Sequence, residues 1–163
     1  MQIRRAEERD LKALLDIYNY EVEYGVATLD LRPKTMDEWR EWYKAHNVGN
    51  HPLFVAELDG QVAGYASLSA YREKEAYHST VELSVYVGAE YRRRGVATEL
   101  MDEILLYARQ DSSVHLVVSV ITSGNEASVR LHEKYGFRFC GVIHEAGWKM
   151  GKYQDIENYE LLV

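Results

Sequence analysis

One stretch narrows the possible folds of this chain more than any other, residues 85–98. Val85-Tyr86-Val87 ends a β-branched and aromatic run that reads as a strand. After a few polar or small residues comes Arg92-Arg93-Arg94-Gly95-Val96-Ala97-Thr98, and from there Val96, Leu100, Ile104 and Tyr107 recur at helical spacing. A strand that passes through a glycine-bearing loop into an amphipathic helix is a unit of mixed α/β domains. Its chemistry is that of an anion site. The first turn of a helix carries unpaired N–H groups and the positive end of the macrodipole. Gly95 and Ala97 let a bulky phosphate approach the backbone, three arginines add charge and Thr98 adds a hydroxyl. A solvated basic loop capping a helix is the plainer reading of the same charges. The passage is neither a Walker A loop nor a GxGxxG fingerprint.

The flanking sequence supplies the rest of such a domain. Residues 2–6 look extended. Asp10 is placed to cap a helix with Leu11, Leu14, Leu15, Tyr18 and Val22 on one face, with Gly25 near its end. Thr35-Met36-Asp37-Glu38 reads as a capping box opening a second helix that carries Trp39, Trp42 and Tyr43. Residues 53–58 and 62–69 flank Asp59-Gly60, a two-residue hairpin turn. Residues 81–87 form a further strand, and the apolar run 114–121 reads as a buried parallel strand. Asn125 opens a helix through Val129, Leu131 and Tyr135 that stops at Gly136. Residues 137–144 and 155–162 are the last two strands. The order β-α-α-β-β-β-α-β-α-β-β predicts an α/β fold with helices on both faces of one sheet. With 163 residues and no repeat or linker, the chain is expected to form a single domain, 1–163.

Composition bounds the function. Nineteen Lys+Arg against 26 Asp+Glu leave a net charge of −7, which argues against nucleic acid as partner. An anionic small ligand would need locally focused positive potential, as at Arg92, Arg93 and Arg94. Cys140 is the lone cysteine, so no disulfide or Cys-based zinc cluster forms within the chain, and it reads as a small packed residue. The six histidines make no HxxxH or HxH pair, and no metal is expected. No signal-peptide core and no apolar run of about 20 residues appears, so a soluble cytoplasmic protein with no membrane partner is expected. The 13 tyrosines suit a ligand cleft or a subunit interface.

Arg92-x-x-Gly95-x-Ala97 resembles the Arg/Gln-x-x-Gly-x-Gly/Ala motif of the GCN5-related N-acetyltransferase (GNAT) superfamily. So does the later block Asn125-x-x-Ser128-x-x-Leu131 with Tyr135-Gly136-Phe137. Over nearly the whole chain, residues 76–87, 128–133, Ala146-Gly147-Trp148-Lys149-x-Gly151 and Ile17-Tyr18-Asn19 are similar to the subfamily acting on phosphinothricin, methionine sulfone and methionine sulfoximine. The resemblance implies a single, mixed, mostly antiparallel V-shaped split sheet with acetyl-CoA in the V, and a homodimer. It implies that Val85, Tyr86 and Val87 offer backbone bonds to pantetheine and the thioester oxygen. Arg92, Arg93, Arg94, Gly95, Val96, Ala97 and Thr98 would cradle the pyrophosphate, and Asn125 and Ser128 would contact the cofactor deeper in the cleft.

Acetylating an amine requires a base, because a free amine is protonated near neutral pH. Glu82 points away from Val81 and Leu83 on its strand, and partial burial there would raise its pKa. An outward carboxylate in a surface ion pair is the competing reading. By the resemblance, His132 occupies the place where many superfamily members carry a tyrosine that protonates the leaving thiolate, and it would act as a general acid or as part of a second base system with Glu82. It reads equally as a partly exposed helix histidine. Tyr135 reads as core. The resemblance places Tyr71 and Arg72 at the small-molecule amine substrate, Arg72 clamping a carboxylate, with Lys74 or Lys149 available to a second anionic group. Arg72 reads equally as an exposed loop cation by its sequence alone. Glu73-Lys74-Glu75 and Tyr153 depart from the subfamily on the acceptor side. The leading expectation is direct acetyl transfer to the α-amine of a small amino acid or analogue. A polyamine or protein N-terminus as acceptor, or a non-catalytic acyl-CoA sensor, are the alternatives.

Overall fold

The computed structural model describes all 163 residues. Seven strands form one sheet: β1 (Gln2–Arg5), β2 (Leu53–Leu58), β3 (Gln61–Ala70), β4 (Thr80–Val87), β5 (Leu116–Thr122), β6 (Arg138–Lys149) and β7 (Lys152–Leu162). Four helices accompany it: α1 (Leu11–Tyr24), α2 (Met36–Lys44), α3 (Val96–Gln110) and α4 (Glu126–Lys134). The spatial order is β1-β2-β3-β4-β5-β7-β6, antiparallel throughout except where β4 meets β5. This is the expected α/β split sheet.

Local signals act as the sequence predicts at several points. Thr35 accepts from the Glu38 N–H at 3.2 Å and Glu38 reaches back, closing the capping box of α2. Asp59 (φ 52°) and Gly60 (φ 77°) are both left-handed, the geometry a two-residue turn between right-twisted strands needs.

Alternation along β2 divides the core. Phe54 and Ala56 join Leu100, Met101, Ile104 and Leu105 of α3 on one face, while Leu53 and Val55 join Leu14, Trp39 and Tyr65 under α1 and α2 on the other. Residues at the α3 face are fully buried, so truncating one of its leucines to alanine costs about 2–5 kcal/mol.

Four expectations change. Asp10 does not cap α1: it is buried, accepts from the Glu7 N–H at 2.7 Å and pairs bidentately with Arg4, because a short 3-10 turn at Glu8–Asp10 precedes the helix. The run 114–121 is parallel to β4 on one side only and antiparallel to β7 on the other. The last two strands are longer than expected and join through Met150-Gly151, both at positive φ. Cys140 is exposed on the edge strand β6 rather than packed, since β6 has no strand on its outer side.

Candidate active site

The sheet forks between β4 and β5. They pair at Thr80↔Leu116, Val81↔Val117 and Glu82↔Val118 and then part, leaving the rest of β4 and β5 unpartnered on their facing edges. The Gly88 N–H donates to the Ala63 carbonyl at 2.8 Å, which assigns the even-numbered backbone groups of β4 to β3. Leu83, Val85 and Val87 therefore aim their N–H and C=O groups into the fork. Of the three residues predicted there, Val85 and Val87 present free backbone. Tyr86 spends its backbone on β3 and contributes its ring, packed 5.4 Å from Tyr65 and edge-on at 5.5 Å to Tyr18.

The loop after β4 delivers the head of α3 to the same region. Arg93 (φ 62°) and Gly95 (φ 81°) are left-handed and turn the chain so that the helix starts at Val96. Glu99 is the first residue whose N–H donates back, to the Gly95 carbonyl at 3.1 Å, so those of Val96, Ala97 and Thr98 are left for a ligand. Space above Gly95 is open, since a Cβ there would meet nothing within 4 Å.

The three arginines are not equivalent. Arg92 pairs with Glu21 of α1, Arg94 lies 3.9 Å from Asp59, and Arg93 is exposed with no ion-pair partner. Free N–H groups, an unpaired guanidinium and an unhindered glycine suit a pyrophosphate, and the unpartnered edge of β4 suits a chain of amides.

Asn125 caps α4, its Oδ1 accepting from the Ser128 N–H at 3.2 Å. Its Nδ2 makes no bond within the chain.

Glu82 stands where the strands part. It lines a cavity of about 220 Å³ with Ser84, Tyr86, Thr28, Leu29 and Thr122. Its carboxylate has no ion pair within 4.0 Å, and burial pushes its carboxyl above the usual range. A half-buried carboxyl with no cation to hold its proton off is suited to accept one.

His132 lies apart from that cavity. It is buried, its Nδ1 donates to the Ser128 carbonyl at 2.7 Å, and its Nε2 accepts from the Ser119 hydroxyl at 2.8 Å. A carbonyl can only accept, so the tautomer follows. Burial lowers its pKa, and Phe137 packs edge-on at 4.9 Å. The Tyr135 hydroxyl donates to Asp102 at 2.6 Å and lies 3.0 Å from the Thr98 carbonyl, tying α4 to the first turns of α3.

Tyr71 and Arg72 lie past the end of β3. The Arg72 guanidinium sits 4.9 Å from the Tyr71 ring and 5.7 Å from Tyr77, in a separate cleft shared with Glu73 and Lys74. Lys149 is not available to an anionic group there: it is buried, with its ammonium on backbone carbonyls.

Sequence reasoning passed over the loop from Val26 to Asp30, which walls the Glu82 cavity. Nothing in its composition marks it. The one available signal was the Tyr18-Asn19 pair. Tyr18 donates to Asp30, and Asn19 clasps Lys34 through both its N–H and C=O, at 2.9 and 3.0 Å.

Comparison with known proteins adds to this geometry. The model of the acetyltransferase (GNAT) family matches residues 14–137. The phosphinothricin N-acetyltransferase of Streptomyces coelicolor is 39% identical over 163 residues, covering 98% of this chain and 95% of that protein. The L-methionine sulfoximine/L-methionine sulfone acetyltransferase of Salmonella typhimurium is 34% identical, covering 99% and 94%. Among solved structures, a ribosomal-protein-alanine N-acetyltransferase from Brucella melitensis superposes with a TM-score of 0.96 at 36% identity over 100% of both chains. The acetyltransferase yncA from Salmonella typhimurium, solved with acetyl-CoA, gives 0.95 at 33% identity over 99% of this chain and 93% of that one.

Proposed function

The chain belongs to the acetyltransferase (GNAT) family, and from that premise we propose that it moves acetyl from acetyl-CoA to the α-amine of a small amino acid of the phosphinothricin, methionine sulfone or methionine sulfoximine type. The observation that carries this reading is Glu82, unpaired and half-buried at the parting of β4 and β5. Glu82 takes a proton from the acceptor ammonium, directly or through one water. The freed amine forms a C–N bond to the thioester carbon, the C–S bond breaks, and the departing thiolate takes up the second proton, which the new amide nitrogen sheds. The free N–H groups of Val85 and Val87 lie along the edge where the carbonyl oxygen gains charge. The head of α3 and Arg93 hold the pyrophosphate, and Asn125 Nδ2 is free for the pantetheine arm. No acetyl-enzyme is required, and Cys140 is on the far edge strand.

The bonding of His132 supports a role in fixing α4 against β5 rather than in proton transfer. Arg72 is proposed as the acceptor-carboxylate clamp on the resemblance alone, since its cleft shares no lining residue with the Glu82 cavity. We take the chain as a single domain working in the cytoplasm. We also take it as a homodimer built on β6 and β7, where Phe139, Ile143, Trp148 and Tyr153 are exposed.

A thiol-release assay with acetyl-CoA against phosphinothricin, methionine sulfone, methionine sulfoximine, spermidine and an alanine-starting peptide tests the reading. Turnover on the first three is the expected result. Turnover on the peptide or spermidine alone would move the acceptor to another class, and binding of acetyl-CoA without turnover would favour a sensor.

A further inference from the structure

Lys149 is the last residue of β6 and only 4% exposed, yet no carboxylate lies within 4.0 Å of it. Its Nζ donates to the carbonyls of Thr28 at 2.8 Å and Glu21 at 3.3 Å. Burying an ammonium without an ion pair is costly, so its contacts must return much of that cost. Burial pulls its pKa down, while the more distant Asp30 and Glu21 carboxylates push it up. The Glu21 carbonyl lies in the last turn of α1, at the negative end of the helix dipole.

Two further contacts reach the same loop from the same half of the sheet. Thr122 of β5 donates its hydroxyl to the Val26 carbonyl at 2.6 Å. Gly147 of β6 lies against Leu29, so closely that a Cβ there would meet Leu29 Cδ1 at 2.9 Å. The loop thus leaves α1, which packs on β3 and β4, and is fastened across the fork to β5 and β6. The fastened residues Thr28 and Leu29, with Ala27 beside them, wall the cavity holding Glu82.

We propose that Lys149 is a positioning residue for the acceptor: its two backbone contacts hold the Thr28–Leu29 wall at the distance from Glu82 that an amino-acid acceptor fits. This rests on the reading above that the Glu82 cavity receives the acceptor. Lys149 touches no reacting atom in this role, so its loss weakens acceptor binding more than it slows the bound complex.

The test uses Lys149→Met, which keeps the stem and removes the ammonium, with L-methionine sulfone and phosphinothricin as acceptors. Amide hydrogen exchange of residues 26–30 in the substrate-free protein should speed up about tenfold or more. The acceptor KM should rise about tenfold or more while kcat and the acetyl-CoA KM stay within about threefold. Unchanged exchange, or a uniform fall in kcat with both KM values intact, would overturn the proposal. Gly147→Ala is the second variant, in case Lys149→Met fails to fold. It displaces Leu29 without touching the ammonium and should shift acceptor KM. An unaltered acceptor KM there also counts against the proposal. Glu82→Gln is assayed alongside. If it leaves turnover intact, the acceptor-site reading itself has failed and takes the proposal with it. If it lowers turnover while Lys149→Met leaves acceptor KM alone, the positioning role alone is wrong.

Discussion

Glu82 and Val118 are the last residues paired between β4 and β5, and the sheet opens immediately beyond them. A carboxylate at that point is flanked by backbone on both sides yet faces a cavity. This accounts for its partial burial and the absence of a counter-charge.

Glu82→Gln should therefore lower kcat/KM by about 100-fold or more at neutral pH, with acetyl-CoA affinity kept. Burial raises the carboxyl pKa above its ordinary 4.5, so the acid limb of the wild-type pH–rate profile should lie above that value. The sign for stability is opposite. A carboxyl whose pKa is raised by folding favours the folded state at low pH, and that contribution is lost as pH rises through the raised value. The neutral amide should leave the protein as stable or more so at pH 7 by calorimetry.

Gly95→Glu should abolish acetyl-CoA binding in a direct titration, because a carboxylate would project into the space above the free N–H groups of α3. Gly95→Ala separates charge from backbone strain. Forcing a β-carbon into the left-handed conformation at φ 81° costs about 1–2 kcal/mol of stability, while binding should persist.

His46 and His132 share one arrangement. Each buried ring donates from Nδ1 to a carbonyl four residues back and accepts at Nε2 from a strand serine, Ser69 or Ser119. Burial lowers both pKa values below the ordinary 6.5. The unfolded chain then binds protons first as pH falls below 6.5, so the melting temperature should drop as pH falls through the window below that value. His132→Phe should flatten part of this dependence and leave Ser119 without its acceptor, at a cost of about 1–3 kcal/mol. Its kcat should stay within about tenfold of wild type in the thiol-release assay; a loss near that of Glu82→Gln would return His132 to the chemistry.

Trp148 and Tyr153 pack edge-on at 4.9 Å and are both more than half exposed on the β6–β7 hairpin. Trp148→Glu should convert a dimer into a monomer in sedimentation velocity. A wild-type protein already monomeric at micromolar concentration would remove that assembly.

Residues close in sequence made much of the architecture legible. The Asp59-Gly60 turn, the Thr35–Glu38 box and the strand–loop–helix passage around Gly95 are set by backbone stereochemistry and hydrogen bonds spanning a few residues. Those short-range preferences also carry the motifs by which the family shows itself. Asp10 marks the limit of such reasoning. Its type suits a helix cap, but Arg4 and the Glu7 N–H claim its carboxylate instead.

What only the tertiary structure decided is which side chains are buried and what they meet. The fork depends on the register of β5, whose residues lie more than 30 positions from their partners on β4. The parting of β5 from β4 frees the backbone of Val85 and Val87, while the β3 ladder takes up that of Tyr86, and no cation is brought to the Glu82 carboxylate. His132 and Lys149 look like ordinary polar residues in the chain. Their environments come from Ser119, Thr28 and Glu21, brought to them by packing of distant elements. Proton affinity and cavity shape follow from desolvation and long-range contact, and neither is encoded in the spacing of neighbouring residues.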